Sequence, residues 1–267
     1  MWNKKLYWVQ LRRAFGGSFW IACGISSALV IMQTISVRTP IWSESSSYPV
    51  SIFNQWIGGE SYSYASSLFY VFLPLIAMLP FGVQYLVDQK NGYLKHLALR
   101  VPATHVVLSY QICNFLVAFA ASLIPFMLSL YVCSMQYPAL KPQAVTHTFS
   151  SGYSSMFSGL FYTKPFGYCI LYSVLIAVYQ ALLASVGMGL SFFMKNTFLC
   201  LLCPLLLNFF SSYVAMKLGL GSLAPLYVFQ PTQVIPAKPV VVIGWYLACI
   251  GVVWILWKRY VKEYEIY

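Results

Sequence analysis

Acidic side chains are scarce in this chain, and their positions are as informative as their number. Only five of the 267 residues are Asp or Glu, and 8% of all residues are charged, against about 25% in a soluble domain. So few charges cannot cover a surface that faces water, and the bilayer is therefore the expected solvent. The carboxylates flank the apolar segments, which counts against an ion or proton relay; they are Glu44, Glu60, Asp88, Glu263 and Glu265.

Common catalytic motifs are also missing from the sequence. No His-Glu-x-x-His or Gly-x-Ser-x-Gly motif is present, and His96, His105 and His147 are too few and too scattered for a metal cluster. Because no phosphate-binding P-loop is present, ATP and Mg must be bound by another chain if ATP drives this protein. We therefore expect no enzyme activity, metal or cofactor on this chain.

Long apolar runs are what the sequence does contain. Hydrophobic residues make up 60% of it, and the mean hydropathy is +0.72. A membrane helix needs roughly 20 mostly apolar residues, and these runs lack the period-two alternation of barrel strands. The sequence predicts an all-α membrane protein whose single transmembrane domain, residues 1–267, crosses the bilayer six times, at about 17–36, 67–87, 106–132, 166–194, 197–216 and 239–257.

Lysine and arginine determine the predicted orientation. Eleven of the 16 Lys and Arg residues lie on the side of both termini, so that side is expected to be cytoplasmic. The net charge of +11 therefore reflects orientation in the membrane, and it does not indicate nucleic-acid binding because no basic soluble domain is present. Lys4 and Lys5 precede a span-length run without a small-residue cleavage site, so we expect an uncleaved first span in place of a signal peptide.

Residues 2–15 have the pattern of a helix that lies on the membrane surface. Apolar side chains can line one face while basic side chains contact anionic lipid. The apolar set is Trp2, Leu6, Val9 and Phe15, and the basic set is Lys4, Lys5, Arg12 and Arg13. The alternative is a basic flank whose only role is to fix topology.

The remaining connections differ in length and composition. Two outer loops, about 37–66 and 133–165, are longer than ordinary connections and could fold over the outer mouth, although their aromatic residues also fit an interfacial belt. The link 194–197 is so short that spans four and five are expected to form a tight antiparallel pair, with a kink at Pro204. Segment 217–238 is too rich in Gly and Pro for a full span and could form a re-entrant turn.

A short charged loop between the second and third apolar runs carries the most specific pattern. It begins with Asp88, has Gly92 four residues later and Pro102 before the next apolar run. This pattern resembles the loop between spans two and three of bacterial type II ABC exporter permeases. Residues 187–191 (Gly-Met-Gly-Leu-Ser), followed by Lys195-Asn196 and Pro204, are similar to the passage between spans four and five in Gram-positive members. Gln111 departs from the family, which often has a basic residue there, and the second outer loop is longer than expected.

The resemblance implies a mechanism. In this family two permease subunits, identical or homologous, pair in the membrane above two P-loop ATPase subunits that hold ATP and Mg. The loop between spans two and three acts as a coupling helix in a groove of the ATPase. Carried onto this sequence, Leu94, Leu97 and Leu99 supply apolar contacts and Lys95, His96 and Arg100 polar ones, while Gly92 permits a turn, Asp88 caps the helix and Pro102 ends it.

The function implied is ATP-driven export from a bacterial cell through a multi-pass protein of the plasma membrane. The low charge of the spans suggests an amphipathic or apolar cargo, such as a peptide antibiotic, a drug or a lipid-linked molecule, and immunity to an antimicrobial peptide is one such role. Substrate-binding residues are not readable from the sequence. Two alternatives stay open: an ion-coupled carrier that works alone, and a non-transporting scaffold or sensor subunit.

Overall fold

The structure is a computed structural model that describes residues 2–36, 51–59, 64–142, 155–233 and 235–264. All regular elements within these ranges are helices, so the predicted all-α class is confirmed. Much of the two predicted outer loops lies outside the described residues, as do Glu44, Glu60, Glu265 and His147 and the side chains of Trp2, Lys4 and Glu263.

Five helices are long and apolar enough to cross a membrane, as expected of a multi-pass membrane protein. They coincide with predicted spans one and three to six: α2 (Gly17–Ser36), α7 (Ala103–Gln136), α9 (Pro165–Ser191), α10 (Thr197–Lys217) and α12 (Pro239–Tyr264). At about 1.5 Å per residue, the 34 residues of α7 reach well past a hydrocarbon layer of about 30 Å.

The second predicted span, 67–87, is not one continuous helix, so the prediction of a single helix there is wrong, while the passage through the membrane stays a prediction. Helix α4 (Tyr64–Met78) has 15 residues and a length of about 22 Å, shorter than a hydrocarbon layer of about 30 Å. A turn at 79–83 separates it from α5 (Gln84–Lys90). Pro80 cannot donate a backbone hydrogen bond, and Gly82 lies so close to Met78 that an added Cβ would be 2.7 Å from its carbonyl oxygen.

Helices α7 and α9 form the centre of the bundle, and the other long helices pack around them. Helices α2 and α4 pack on each other and on α7, and α10 and α12 pack on α9. The N-terminal helix α1 (Trp2–Ala14) packs on α7 at the end of the bundle where α5 and α6 (Tyr93–Ala98) also lie; we call this the α1 end. The short helices α3 (Ile52–Gln55), α8 (Ser158–Thr163) and α11 (Pro225–Val228) contribute to a separate core at the other end.

Segment 217–238 folds back onto the bundle as short turns. A 3-10 turn (Gly221–Leu223) and α11 are held by the Trp245 indole, which donates to the Leu223 carbonyl at 2.9 Å, and by the Tyr168 hydroxyl, which donates to the Pro231 carbonyl at 2.8 Å. The prediction that this segment is too broken for a full span is confirmed. Its depth in a bilayer stays a prediction.

Candidate functional site

The charged loop forms a bend between two short helices, which we call the elbow (residues 84–101). Asn91 and Gly92 join α5 to α6, and Gly92 has a φ of +75°. An added Cβ at Gly92 would meet no described atom within 4 Å, so glycine is needed for its left-handed backbone and not for space. The predicted turn at Gly92 is confirmed.

Asp88 lies in the last turn of α5, and its carboxylate is buried in a set of hydrogen bonds. The residue is 3% exposed. The Arg13 guanidinium, in the last turn of α1, donates from Nη1 to Oδ2 at 2.8 Å and from Nη2 to Oδ1 at 2.7 Å. Such a two-pronged, charge-assisted pair is stronger and more directional than a single hydrogen bond between neutral groups. It joins α1 to the elbow across 75 positions of sequence.

Two neutral side chains complete the carboxylate's hydrogen bonds. The Tyr110 hydroxyl on α7 donates to Oδ2, and the Gln84 amide donates to Oδ1 at 2.9 Å. A carboxylate offers about four acceptor positions, and all four are now used. The prediction that Asp88 caps the coupling helix is therefore wrong: Gly92 occupies the N-cap position of α6, with no side-chain hydrogen bond to the helix.

Arg13 is the centre of the cluster. Its guanidinium carbon also lies 4.9 Å from the centroid of the Tyr93 ring, at the start of α6, and its Nη1 donates to Gln10 Oε1 at 3.2 Å. The hydrogen bond to Asp88 raises the pKa of Arg13 above its ordinary value, so its positive charge is retained at every working pH. Arg13 was predicted to contact anionic lipid. Its guanidinium instead binds protein groups on both helices of the elbow, Asp88 of α5 and Tyr93 of α6, so that prediction is wrong for this side chain.

The apolar face predicted for the N-terminal helix is divided. Leu6 and Ala14 are buried in the core of the α1 end, whereas Val9 and Phe15 are exposed. Arg12, which does not share the Asp88 pair, lies with its guanidinium carbon 5.7 Å from the Trp8 ring centroid. The predicted helix is thus present, but one face of it packs on protein and Leu6 is not a lipid contact. Its place at a membrane surface stays a prediction.

The elbow has a buried face and an exposed face. Leu94 is buried in the same core as Leu6, and Leu97 packs partly against it. Leu99 is 86% exposed. Of the three leucines predicted to contact a partner, only Leu99 is therefore fully available. Lys95, His96 and Arg100 are exposed beside it.

Pro102 directly precedes α7, in the N-cap position, with φ −55° and ψ 140°. Helix α6 has already ended at Ala98, so Pro102 does not end α6 as predicted. It does set the start of α7, as predicted, because the backbone before the helix is extended there. The elbow is thus fixed at its α7 end by a rigid residue.

The second segment of the resemblance lies against the first. The Lys90 ammonium at the end of α5 donates to Thr197 Oγ1 at 2.9 Å, where α10 begins. Asn196 caps α10 by accepting hydrogen bonds from the Phe198 and Leu199 amides at 3.0 and 3.5 Å. Lys195 is exposed in the same link.

Farther into the bundle, Gly187 allows α9 to approach α10. An added Cβ there would lie 2.6 Å from Cγ of Pro204, and the Cys200 thiol is 3.6 Å from the Gly187 carbonyl oxygen. The predicted tight pairing of these two helices is confirmed.

Comparison of the chain with protein-family models, with characterised proteins and with solved structures gives no match. The site therefore rests on its own geometry. Sequence reasoning selected Asp88, Gly92 and Pro102 but missed Tyr110, Gln84 and the pairing with Arg13. One available signal was that Asp88 is the only acidic residue between Glu60 and Glu263, so that the basic N-terminal segment had few carboxylates to pair with.

Proposed function

We propose that this chain is the membrane-spanning permease subunit of an ATP-driven ABC exporter, and that the elbow is the element through which a separate P-loop ATPase moves it. The observation that carries the proposal is that the elbow is anchored on one face and exposed on the other. Asp88 is held by Arg13 and Tyr110, while Leu99 and Arg100 are exposed.

The anchoring favours transmission of movement. An uncompensated buried charge costs about 3–5 kcal/mol, so Arg13 and Asp88 resist separation. The elbow is thereby tied to α1 and, through Tyr110, to α7; Lys90 adds a contact with α10. A partner that displaces the elbow would carry these helices with it as a rigid group, which is how domain movements are usually transmitted.

The exposed face favours a particular kind of partner surface. Lys95 and Arg100 are cationic and exposed, and Leu99, next to Arg100 in the chain, is a large apolar side chain that is also exposed. A groove with an apolar floor and an acidic rim complements this face, since charge at the rim guides association and a central apolar contact provides affinity. The ATP and Mg needed for movement are bound by that partner.

The orientation, the number of passages and the subunit pairing that we propose are those predicted from the sequence. Both termini and the elbow face the cytoplasm of a bacterial cell, α4 with the turn after it forms the second of six passages, and two permease subunits, identical or homologous, pair in the plasma membrane. Alternating access then moves an amphipathic or apolar cargo outward. The apolar spans of the described helices, which in α12 end at Val261, contain no acidic side chain, and this supports an external motor over coupling to an ion gradient.

The decisive experiment is purification of the tagged chain in mild detergent, with mass spectrometry of co-eluting proteins. We expect a stoichiometric protein with a P-loop motif. Leu99→Glu combined with Arg100→Glu should remove it, because the exposed face would then repel an acidic rim. Lys217→Glu, a charge change at the other end of the bundle, is the matched control and should retain it.

If no ATPase co-elutes under conditions that keep the complex intact, the ATP-driven proposal is wrong and the solitary carrier or sensor takes its place. If the ATPase is present but binds the double variant as tightly as the wild type, then the elbow is not its docking element.

A further inference from the structure

An apolar groove of about 460 Å³ opens on the outside of the bundle between α7, α9 and α12. Exposed side chains form its walls, and they include Leu108, Ile112 and Leu116 of α7 and Ile250 and Trp254 of α12. Because these residues lie on helices that are long enough to span a membrane, we expect the groove to face the lipid. It lies apart from the elbow cluster.

Two polar groups in this groove have no hydrogen-bond partner within the described ranges. Gln111, 8% exposed, has neither its amide nitrogen nor its carbonyl oxygen satisfied, and the buried Nε1–H of Trp257 is likewise unpaired. Gly189 on α9 lies next to this amide and allows α12 to approach closely, since an added Cβ would lie 3.6 Å from Gln111 Nε2 but only 3.0 Å from Cδ1 of Leu256. Unsatisfied polar groups are costly in an apolar medium, so a ligand that offers hydrogen-bond acceptors would be stabilised here.

A positive charge is fixed at one end of the groove. The Lys258 ammonium lies 5.1 Å from the ring centroid of Trp254, which lines the groove, and Lys258 directly follows Trp257. This end of α12 is at the α1 end of the bundle, because Tyr260 accepts a hydrogen bond from the hydroxyl of Tyr85 at 2.5 Å. From the charged end inward, the groove therefore presents a cation, then two hydrogen-bond donors, then mainly apolar side chains.

The length of the groove matches one membrane leaflet. From Leu108 to Leu116 α7 rises about 12 Å, close to half of a hydrocarbon layer of about 30 Å. The same order of groups, an anion, then ester carbonyls, then a hydrocarbon chain, occurs in a glycerophospholipid.

We propose that this groove binds one anionic glycerophospholipid of the adjacent leaflet. Its acyl chain lies between α7 and α12, an ester carbonyl accepts from the Gln111 amide and the Trp257 indole, and its phosphate lies near Lys258. The site is independent of the proposed coupling to an ATPase, and the lipid is a resident ligand of the chain, distinct from any cargo.

The test is titration of the full-length protein in detergent, followed by native mass spectrometry, with dioleoyl phosphatidylglycerol as the probe. Dioleoyl phosphatidylcholine tests the head-group charge, and inorganic phosphate tests the need for acyl chains. We expect one phosphatidylglycerol bound per chain, with weaker binding of phosphatidylcholine and none of phosphate.

Three variants test the individual contacts. Gln111→Leu and Trp257→Phe each remove hydrogen-bonding groups and leave an apolar side chain, and each should weaken phosphatidylglycerol binding about fivefold. Lys258→Gln should reduce phosphatidylglycerol binding to the level of phosphatidylcholine. The matched controls are Trp20→Phe, on the exposed face of α2, and Lys217→Gln, whose ammonium lies over Tyr213 at the other end of the bundle; both should bind as the wild type does.

A space-filling variant distinguishes the lipid from a protein occupant. Ile112→Trp should block the groove and abolish the bound lipid without changing the oligomeric state. The proposal is wrong if this variant changes the oligomeric state and leaves lipid binding intact, because a second copy would then occupy the groove. It is equally wrong if the Gln111→Leu/Trp257→Phe double variant binds phosphatidylglycerol normally, or if phosphatidylcholine binds as tightly.

Discussion

Removal of Arg13 is the most informative perturbation of the elbow. Arg13→Ala leaves the Asp88 carboxylate, 3% exposed, with hydrogen bonds only from Tyr110 and Gln84. Leaving a buried charge without its ionic partner costs about 3–5 kcal/mol. The reverse change, Asp88→Ala, should cost less, because the Arg13 side chain is 32% exposed and its charge can be hydrated.

The free-energy cost of removing Arg13 can be measured by hydrogen exchange of the protein in detergent micelles. Exchange is followed separately for each proteolytic peptide, so the loss of protection can be assigned to α1. Because Arg13 holds α1 to the elbow, Arg13→Ala should raise the opening equilibrium of residues 2–14 by at least about a hundredfold. Arg12→Ala is the matched control, since Arg12 contacts Trp8 within α1 and takes no part in the pair. Its exchange should stay near that of the wild type.

The pair can also be removed completely. Arg13→Leu combined with Asp88→Leu leaves no uncompensated charge and should restore most of the protection lost in Arg13→Ala. Two results would refute the reasoning: wild-type exchange in Arg13→Ala, or an equal loss of protection in Arg12→Ala and Arg13→Ala. Either would mean that α1 is held by its apolar contacts alone.

The remaining predictions concern Gly92, Gly187 and Asn196. Gly92→Ala should lower the stability of the elbow by about 1–2 kcal/mol through its left-handed φ alone, seen as faster exchange in residues 84–101, and Gly92→Pro should abolish transport and cargo-stimulated ATP hydrolysis while the protein stays folded. Gly187→Ala should lower the unfolding temperature in detergent by forcing a contact with Pro204, at a cost of about 1–3 kcal/mol, whereas Gly24→Ala, with open space at its Cβ, should not. Asn196→Ala should cost about 1 kcal/mol through loss of the α10 cap, and the same unfolding measurement checks it against Asn196→Asp, which keeps the acceptor.

The sequence predicted those parts of the fold that depend on local composition. Five of six spans coincide with long helices because about 20 consecutive apolar residues have few alternatives in a bilayer. The prediction of one continuous helix for the second span failed because a hydropathy window averages over Pro80 and Gly82, which break the helix without reducing the apolar content. The turn at Gly92 was predictable from its own chemistry.

The parts of the site that depend on distant residues were not predictable. Asp88 looked like a local helix cap, since carboxylates commonly cap helices within a few residues, but its partners lie on α1 and α7. No single-sequence pattern pairs residues 75 positions apart. The same limit applies to Gln111, which stood out only as a departure from the resembled family and is an amide without a described hydrogen-bond partner in a groove on the outside of the bundle.

The high exposure of α12 has a consequence for biosynthesis. The most apolar window of α12 has a mean hydropathy of 2.3 with 11% of its residues buried, whereas that of α9 has 2.1 with 72% buried. The bilayer alone therefore stabilises α12 as an inserted helix, and α9 depends on its neighbours for its packing. As the chain leaves the ribosome, α12 can enter the membrane as an independent segment and join an already assembled bundle afterwards, by packing on α9.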